Sequence, residues 1–405
     1  MTLQQTEIFI FPSTPILANI YDTHVATLAG ELSDKTSFTI NIISFNDPKN
    51  ADKVQQKAQA IQKKISGRFF LLKTRNPFFA LFELKRIMTG YKNSKILFHT
   101  HNYYTSYLIF IIKKMITQRV IHYIEFKGLV PQEHLLYGCK SRIQEILIYL
   151  ISTHFEKNIV KCGDFFSVVS HKFKDHLIKK YKSIRKKNII VIPSVFDTSL
   201  FYYDDRLREK VRQEIGLQST DILITYSGGV QNWQNIDLFI DIIKHQMFKD
   251  CRFLFISRET DQLKKIFQQK EIDENKVFLQ GGDQHRVNEL LNASDFCFLC
   301  RKNDIVNKVS SPTKFCEYYS TKNQIIISSE IGDFSELISK TGNGIVIDTD
   351  KPIDFKMIKN FIISGRPFSE DSISLREFRS AFSYTENIKK IIASYHMLLK
   401  NQNTA

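Results

Sequence analysis

Two doubly wound α/β domains are predicted by three observations: the chain's length, the spacing of its short β-rich runs, and a restart of that spacing near residue 200. At 405 residues the chain is long for one hydrophobic core, and a usual domain size of roughly 100–200 residues makes two domains the natural number. The expected division is 1–198, then 199–385, then a C-terminal helix at 386–405 able to pack back on the first domain.

In the first domain the runs EIFIF, FTINIISF, KILFHT, RVIHYIE and FFSVVS alternate with longer segments of helical period. Parallel strands need crossover connections, usually helices, so this rhythm predicts a mostly parallel sheet covered on both faces. The segment NIIVIPSVFDTSLFYYDD then contains a strand, a proline and an irregular aromatic and acidic stretch before a helix at about 205–216, and the linker is placed there. The second series runs DILITYS, RFLFIS, KVFLQ, DFCFLC, NQIIISS and NGIVID and closes with helices to about residue 400. No short-period repeat is visible, which argues against a solenoid.

Composition narrows the function. The start, MTLQQTEIFIFPS, has no basic leader and reads as a first strand. Apolar runs such as 108–112 and 146–151 fall far short of the roughly 20 residues of a spanning helix. A cytoplasmic protein is expected, resting at most on the inner face of the membrane. Six cysteines are too sparse for a disulfide framework. Cys297 and Cys300 form a C-x-x-C, but on a buried strand an offset of three points them to opposite faces, which disfavours a metal or redox pair.

The net charge of +15 is unevenly placed: residues 1–200 hold 29 basic and 14 acidic side chains, and 201–405 hold 28 of each. The first half is therefore expected to meet something anionic, or simply to carry a lysine-rich solvated surface. A basic nucleic-acid-binding protein is one alternative; no recognition motif or zinc spacing supports it, the charge is spread over several elements, and no nucleic-acid partner is expected. The stretch GRFFLLKTRNPFFALFELKRIMTGYK, 67–92, interleaves aromatic and basic residues as interfacial helices do, and reads either as core or as a segment near anionic lipid.

The most informative stretch is LCRKNDIVNKVSSPTKFCEYYSTKNQIIISSEIGD, residues 299–333, where a strand empties into a polar loop and a helix opens. Ser311 is placed to cap that helix and Pro312 to start it. Unpaired amides and the positive end of the helix dipole make an anion site, to which Arg301, Lys308 and Lys314 add charge, so a diphosphate fits there. Glu317 lies one turn beyond Thr313, where its carboxylate can accept hydrogen bonds from sugar hydroxyls. An ordinary capped helix with a surface glutamate is the alternative. ITYSGGVQNWQNIDLFI, 224–240, is a strand ending in Ser227-Gly228-Gly229 before a helix, where glycines let backbone approach a ligand. On its own such a turn is as readily structural.

At these residues the sequence resembles the group-1, family-4 retaining glycosyltransferases of the GT-B fold, the bacterial surface-polysaccharide type in particular, most closely over 226–348. The resemblance implies two Rossmann-like domains facing across a cleft, a nucleotide-sugar donor, and transfer with retention to a saccharide or lipid-linked saccharide acceptor. It implies that Glu317 is the ribose-binding second Glu of a Glu-x7-Glu motif, whose first position is Val309 here. Backbone around Ser310 to Thr313 then substitutes for the missing carboxylate. Ser227, Gly228 and Gly229 match the donor-phosphate loop; its usual basic pair is absent, leaving Arg301 and Lys314 to carry the phosphate charge.

VIHYIEFKGLVPQEHLLYG, 120–138, matches the strand and loop facing the donor sugar, with Lys127 as the contact and Glu125 behind it. His101, with His99 in FHTHN, leaves a strand end and borders the acceptor; spacing i, i+2 without further ligands argues against a metal site. No metal or other cofactor is implied. Asp348-Thr349-Asp350 reads as a turn. A nucleotide-sugar epimerase or an inverting transferase on the same architecture remains the alternative within enzymes.

Overall fold

A computed structural model describes residues 5–18, 21–138 and 140–400; Cys139 and the end of the expected C-terminal helix, 401–405, lie outside these. The chain divides into two compact units, Met1–Ile192 with Ile388–Ala405, and Pro193–Asn387. The division falls a few residues before the expected one, at the proline that follows the last strand of the first unit.

The described residues of the first unit build a seven-stranded sheet in the order β3-β2-β1-β4-β5-β6-β7. Its strands are β1 (Thr6–Pro12), β2 (Thr39–Phe45), β3 (Phe69–Leu72), β4 (Lys95–His101), β5 (Val120–Phe126), β6 (Phe165–Val168) and β7 (Asn188–Val191). All its pairings are parallel. The central strands are buried along nearly their whole length because helices cover both faces; β5 is buried at every residue. The stretch 67–92 is not one interfacial segment. Its first part is the edge strand β3, and the helix Pro77–Thr89 follows, started by Pro77 and capped by Asn76, whose side chain accepts from the Phe78 amide at 3.1 Å.

The second unit builds a six-stranded parallel sheet in the order β10-β9-β8-β11-β12-β13. Its strands are β8 (Ile222–Ser227), β9 (Cys251–Ile256), β10 (Val277–Gln280), β11 (Phe296–Leu299), β12 (Gln324–Ser328) and β13 (Gly344–Ile347). Each face of this sheet has its own apolar core. Cys297 packs with Phe315 and Tyr319 in one, Cys300 with Phe239 and Phe298 in the other, so the C-x-x-C is split across the sheet. Burial raises both thiols well above the usual range.

The helix Asp205–Glu214 is tied to this sheet by the buried Arg212. Its guanidinium donates to the Ala293 carbonyl at 2.9 Å, to Asp295 Oδ2 at 3.3 Å and to the Gln218 carbonyl at 2.7 Å. Removing the cation strands buried carbonyls and leaves Asp295 to Arg208 and the Leu223 amide alone. Arg212→Leu is expected to lower stability by about 3 kcal/mol, measured by urea unfolding; a loss of less than about 1 kcal/mol would show that the network is only a surface pair.

Candidate functional site

In the second unit the chain leaves β8 toward β9 and leaves β11 toward β12, although β8 and β11 are hydrogen-bonded neighbours. Loops parting at such a point open a crevice beyond the carboxyl ends of the strands, the usual ligand position in this architecture. A recess of about 300 Å³ lies there, lined among others by Ser227, Gly228, Gly229, Lys314 and Glu317. Five of the residues singled out in the sequence, from segments about ninety positions apart, thus share one wall.

Backbone placement explains the turn. The Ser227 amide donates to the Tyr318 hydroxyl at 3.0 Å, and that hydroxyl also lies 3.2 Å from the Ser227 carbonyl. Tyr318 is fully buried on the helix Thr313–Ser320, so one side chain pins the end of β8 to the helix that carries Lys314 and Glu317. The Tyr226 hydroxyl donates to the Gly229 carbonyl across the turn. Burial raises the Tyr226 phenol far above its usual range against the nearby Arg301 cation, keeping it a neutral donor. A Cβ at Gly229 would come within 2.4 Å of the Gln231 amide and 2.7 Å of a Glu259 carboxylate oxygen. Only glycine leaves those two side chains in place.

Lys314 Nζ donates to Glu317 Oε2 at 2.9 Å, one turn along the helix, with Glu317 nearly buried and Lys314 half-buried. The start of this helix differs from expectation. Pro312 is its N-cap, Thr313 its first residue, and no side chain caps it. The Ser311 hydroxyl instead accepts from the Ser194 amide at 3.1 Å. The first-turn amides are therefore not used up by the serine expected to take one of them.

Arg301 stands at the end of β11, where its amide donates to Ser328 Oγ at 2.9 Å and its guanidinium to Asn307 Oδ1 at 3.4 Å. It does not line the recess with Lys314. Ser311, Pro312 and Thr313 are also outside that lining. Val309, at the first position of the acidic motif, is buried. Lys308 Nζ points to Glu330 at 3.7 Å.

Sequence reasoning missed the far wall. Arg258 and Glu259 follow β9, and Gly282 and Asp283 follow β10. Glu259 accepts from the Val230 amide at 2.7 Å and from Gln231 Nε2 at 2.9 Å, holding the turn after β8. Their signal was positional: each lies within three residues of a strand end. Asp348-Thr349-Asp350 follows β13 as a turn, in which Asp348 Oδ1 accepts from the Asp350 amide at 3.1 Å.

The first unit has its own such point, between β1 and β4. There the structure supplies what the sequence lacked beside its two histidines. In the β4–β5 register His101 faces Glu125, and the three side chains His99, His101 and Glu125 present ligand atoms within 4.8 Å of one another, all buried. The absence of a third ligand, argued from i, i+2 spacing, is thus corrected: pairing of strands brings a carboxylate from 24 residues away. Glu125 Oε2 lies 3.2 Å from His101 Nε2 and 3.5 Å from His99 Nε2, while Lys127 Nζ lies 3.2 Å from Oε1. Lys127 also reaches His24 Nδ1 at 2.9 Å.

Burial alone would raise the Glu125 carboxyl, but Lys127 and the histidines outweigh it and hold it well below the usual carboxylate range. Burial drives His101 well below the usual imidazole range against the pull of Glu125. Burial, with the Lys127 cation, pushes His24 down to about 4. Glu125 is therefore held as a carboxylate beside Lys127, with His101 and His24 kept neutral. His99 Nδ1 meets the Tyr395 hydroxyl at 2.6 Å, so the helix Tyr384–Lys400 supports the same cluster.

Among curated proteins none matches the chain by sequence. Among solved structures it resembles a sucrose-phosphate synthase from Thermosynechococcus elongatus, at 14% identity and a TM-score of 0.70, covering 98% of this chain and 100% of that one. It resembles Anabaena HepE in complex with UDP-glucose at 13% identity and a TM-score of 0.67, over 96% and 99%. It resembles the lipopolysaccharide outer core galactosyltransferase WaaB at 11% identity and a TM-score of 0.65, over 97% and 99%. Residues 208–373, which contain Ser227, Gly228, Gly229, Lys314 and Glu317, match the family model of the glycosyl transferases group 1, and the chain as a whole has the two-domain α/β fold of the GT-B glycosyltransferases.

Proposed function

We propose that this chain is a glycosyltransferase that takes its sugar from a nucleotide diphosphate donor seated in the recess of the second unit. The carrying observation is the shared wall of Ser227, Gly228, Gly229, Lys314 and Glu317 at the point where β8 and β11 part. That wall combines the glycine turn after β8 with one cation on the first turn of an uncapped helix, features that suit a diphosphate. Glu317, beside Lys314, accepts the ribose hydroxyls. The UDP-glucose complex of HepE supports this choice of ligand class.

In this reading the departing diphosphate gathers charge as the glycosidic bond breaks, and Lys314 with the amides of the first helical turn meets that charge. Arg301 is the second cation, at the head of the same loop. No divalent cation takes part, and turnover is expected to survive chelator. Transfer proceeds with retention, and Lys127, oriented by Glu125, faces the transferred sugar while His101 borders the acceptor. The acceptor is a saccharide or lipid-linked saccharide of a surface polysaccharide such as capsule or lipopolysaccharide, as the likeness to WaaB suggests. Lysines and arginines in the first unit favour an anionic partner on that side, placing the enzyme at the inner face of the membrane.

A thermal-shift series with UDP, GDP, UDP-glucose and other nucleotide sugars tests the donor assignment. One of them, at a hundred times its dissociation constant, is expected to add about 2.7 kcal/mol of apparent stability. No shift with any nucleotide diphosphate would overturn it. Anomeric proton couplings in the product then separate a retaining transferase from an inverting one, and an altered free nucleotide sugar would mark an epimerase.

A further inference from the structure

The helix Arg142–Cys162 is built the reverse of an ordinary surface helix. Its inward face carries Glu145, Ser152 and Glu156, all buried. They are held inside the unit: Glu145 Oε1 accepts from the Lys140 amide at 2.8 Å and its Oε2 lies 3.3 Å from His134 Nδ1, while Glu156 accepts from the Tyr103 hydroxyl at 2.8 Å and from Lys180 Nζ at 2.5 Å. Its outward face carries Ile143 at 73% exposure, Leu147 at 52%, Leu150 at 56% and Ile151 at 54%. Spacings of 4, 7 and 8 residues make that one continuous ridge. The polar bonds within fix the rotation of the helix, so the apolar ridge faces out by construction.

A second apolar group stands on the same side of the sheet. The helix Pro77–Thr89 exposes Phe78 at 81%, Phe79 at 65% and Phe82 at 69%. The helix Tyr103–Met115 packs against both Pro77–Thr89 and Arg142–Cys162, and so lies between them. In both outer helices the exposed apolar residues lie in the N-terminal part. Crossover helices run opposite to the strands they join, so both groups sit toward the carboxyl ends of the strands. That is the end where His101, Glu125 and Lys127 emerge.

The exposed charges around the two groups are cations. Lys73 and Arg75 precede the phenylalanines and Lys85 and Arg86 follow them, while Lys140 and Arg142 open the second helix; all six are exposed. The acidic residues nearby are turned inward or engaged: Glu83 accepts from the Lys73 amide at 2.9 Å, and Glu145 is buried. A second copy of this face would set cations against cations. An anionic lipid surface would take the rings and aliphatic side chains into its acyl boundary and the lysines and arginines at its head groups.

We propose that the helices Pro77–Thr89 and Arg142–Cys162 form one membrane-docking face that seats the first unit on anionic lipid with its Lys127 end toward the head groups. It rests on the glycosyltransferase reading only in that a lipid-linked acceptor would then reach Lys127 without leaving the membrane.

Flotation of the full chain with vesicles of phosphatidylcholine, with and without phosphatidylglycerol, tests it. Wild-type protein is expected to float with the anionic vesicles, to lose most of that binding at about 0.5 M salt, and to bind neutral vesicles weakly. Phe78→Ser with Phe82→Ser, and separately Leu147→Gln with Leu150→Gln, are each expected to reduce binding at least about tenfold. Their unfolding temperature and nucleotide-induced thermal shift should stay unchanged, since these side chains are already in water. Binding unaffected by either pair, or no vesicle binding at all, would overturn the proposal. So would a wild-type dimer in sedimentation that both pairs dissociate while no vesicles are bound. A nucleotide shift that persists alongside any of these failures leaves the donor assignment standing and removes only the docking face.

Discussion

Lys314→Ala is expected to lower kcat/KM on the order of a hundredfold, equivalent to about 3 kcal/mol of barrier, with the fold intact. Lys314 is half-buried at the recess and its ammonium bonds Glu317 on the same helix turn, so little packing is lost. The loss should fall on kcat more than on KM, because the diphosphate charge that the ammonium meets is largest as the bond breaks. Glu317→Gln should behave oppositely, raising KM for the donor while sparing kcat, if it binds the ribose. Arg301→Ala separates two arrangements. Held by Asn307 outside the recess lining, Arg301 must swing to reach a diphosphate, and a loss as large as that of Lys314→Ala would show that it does. Steady-state kinetics with a nucleotide sugar decide all three, and near-normal turnover in Lys314→Ala would sink the phosphate assignment.

Acid should weaken the first unit in a defined window. His24, at about 4 in the folded chain, and the buried His101 and His122, both well below the ordinary range, are neutral when folded and free to protonate near 6.5 when unfolded. Between those limits the unfolded chain binds more protons, so stability is fully present above about pH 6.5 and is lost as pH falls toward 4. His24 alone accounts for on the order of 3 kcal/mol at the acid end, or roughly 5 to 10 °C of unfolding temperature in a unit of this size. His24→Asn keeps an acceptor for Lys127 and should flatten the slope between pH 6.5 and 4. A wild-type unfolding temperature constant over that range would contradict the neutral assignment.

The site was legible in the sequence to unequal degrees. The wall of Ser227, Gly228, Gly229, Lys314 and Glu317 could be read because each marker is local: a glycine pair at a strand end, and a helix start with basic and acidic residues one turn apart. Glu259 and Asp283 were not read, since a single polar residue after a strand is common and only the sheet order brings these two to the recess. Ser311 was read as a cap from spacing alone, and its hydroxyl was taken instead by the Ser194 amide, 117 positions away. His99 and His101 appeared to lack a third partner because Glu125 reaches them only through the register of β4 on β5.

Periodicity determined the elements of this protein by itself. The second unit's strand sequence was read in full, and in the first the edge strand β3 was the one hidden, because its aromatic and aliphatic residues merge with those of the helix Pro77–Thr89 into one apolar and basic stretch. Composition likewise determined that the excess positive charge lies in the first half. Only the tertiary structure decided which face of the helix Arg142–Cys162 points outward. Its sequence holds enough apolar residues for an ordinary buried stripe, but Glu145 and Glu156 find their partners inside the unit, and satisfying buried carboxylates outweighs covering a few aliphatic side chains.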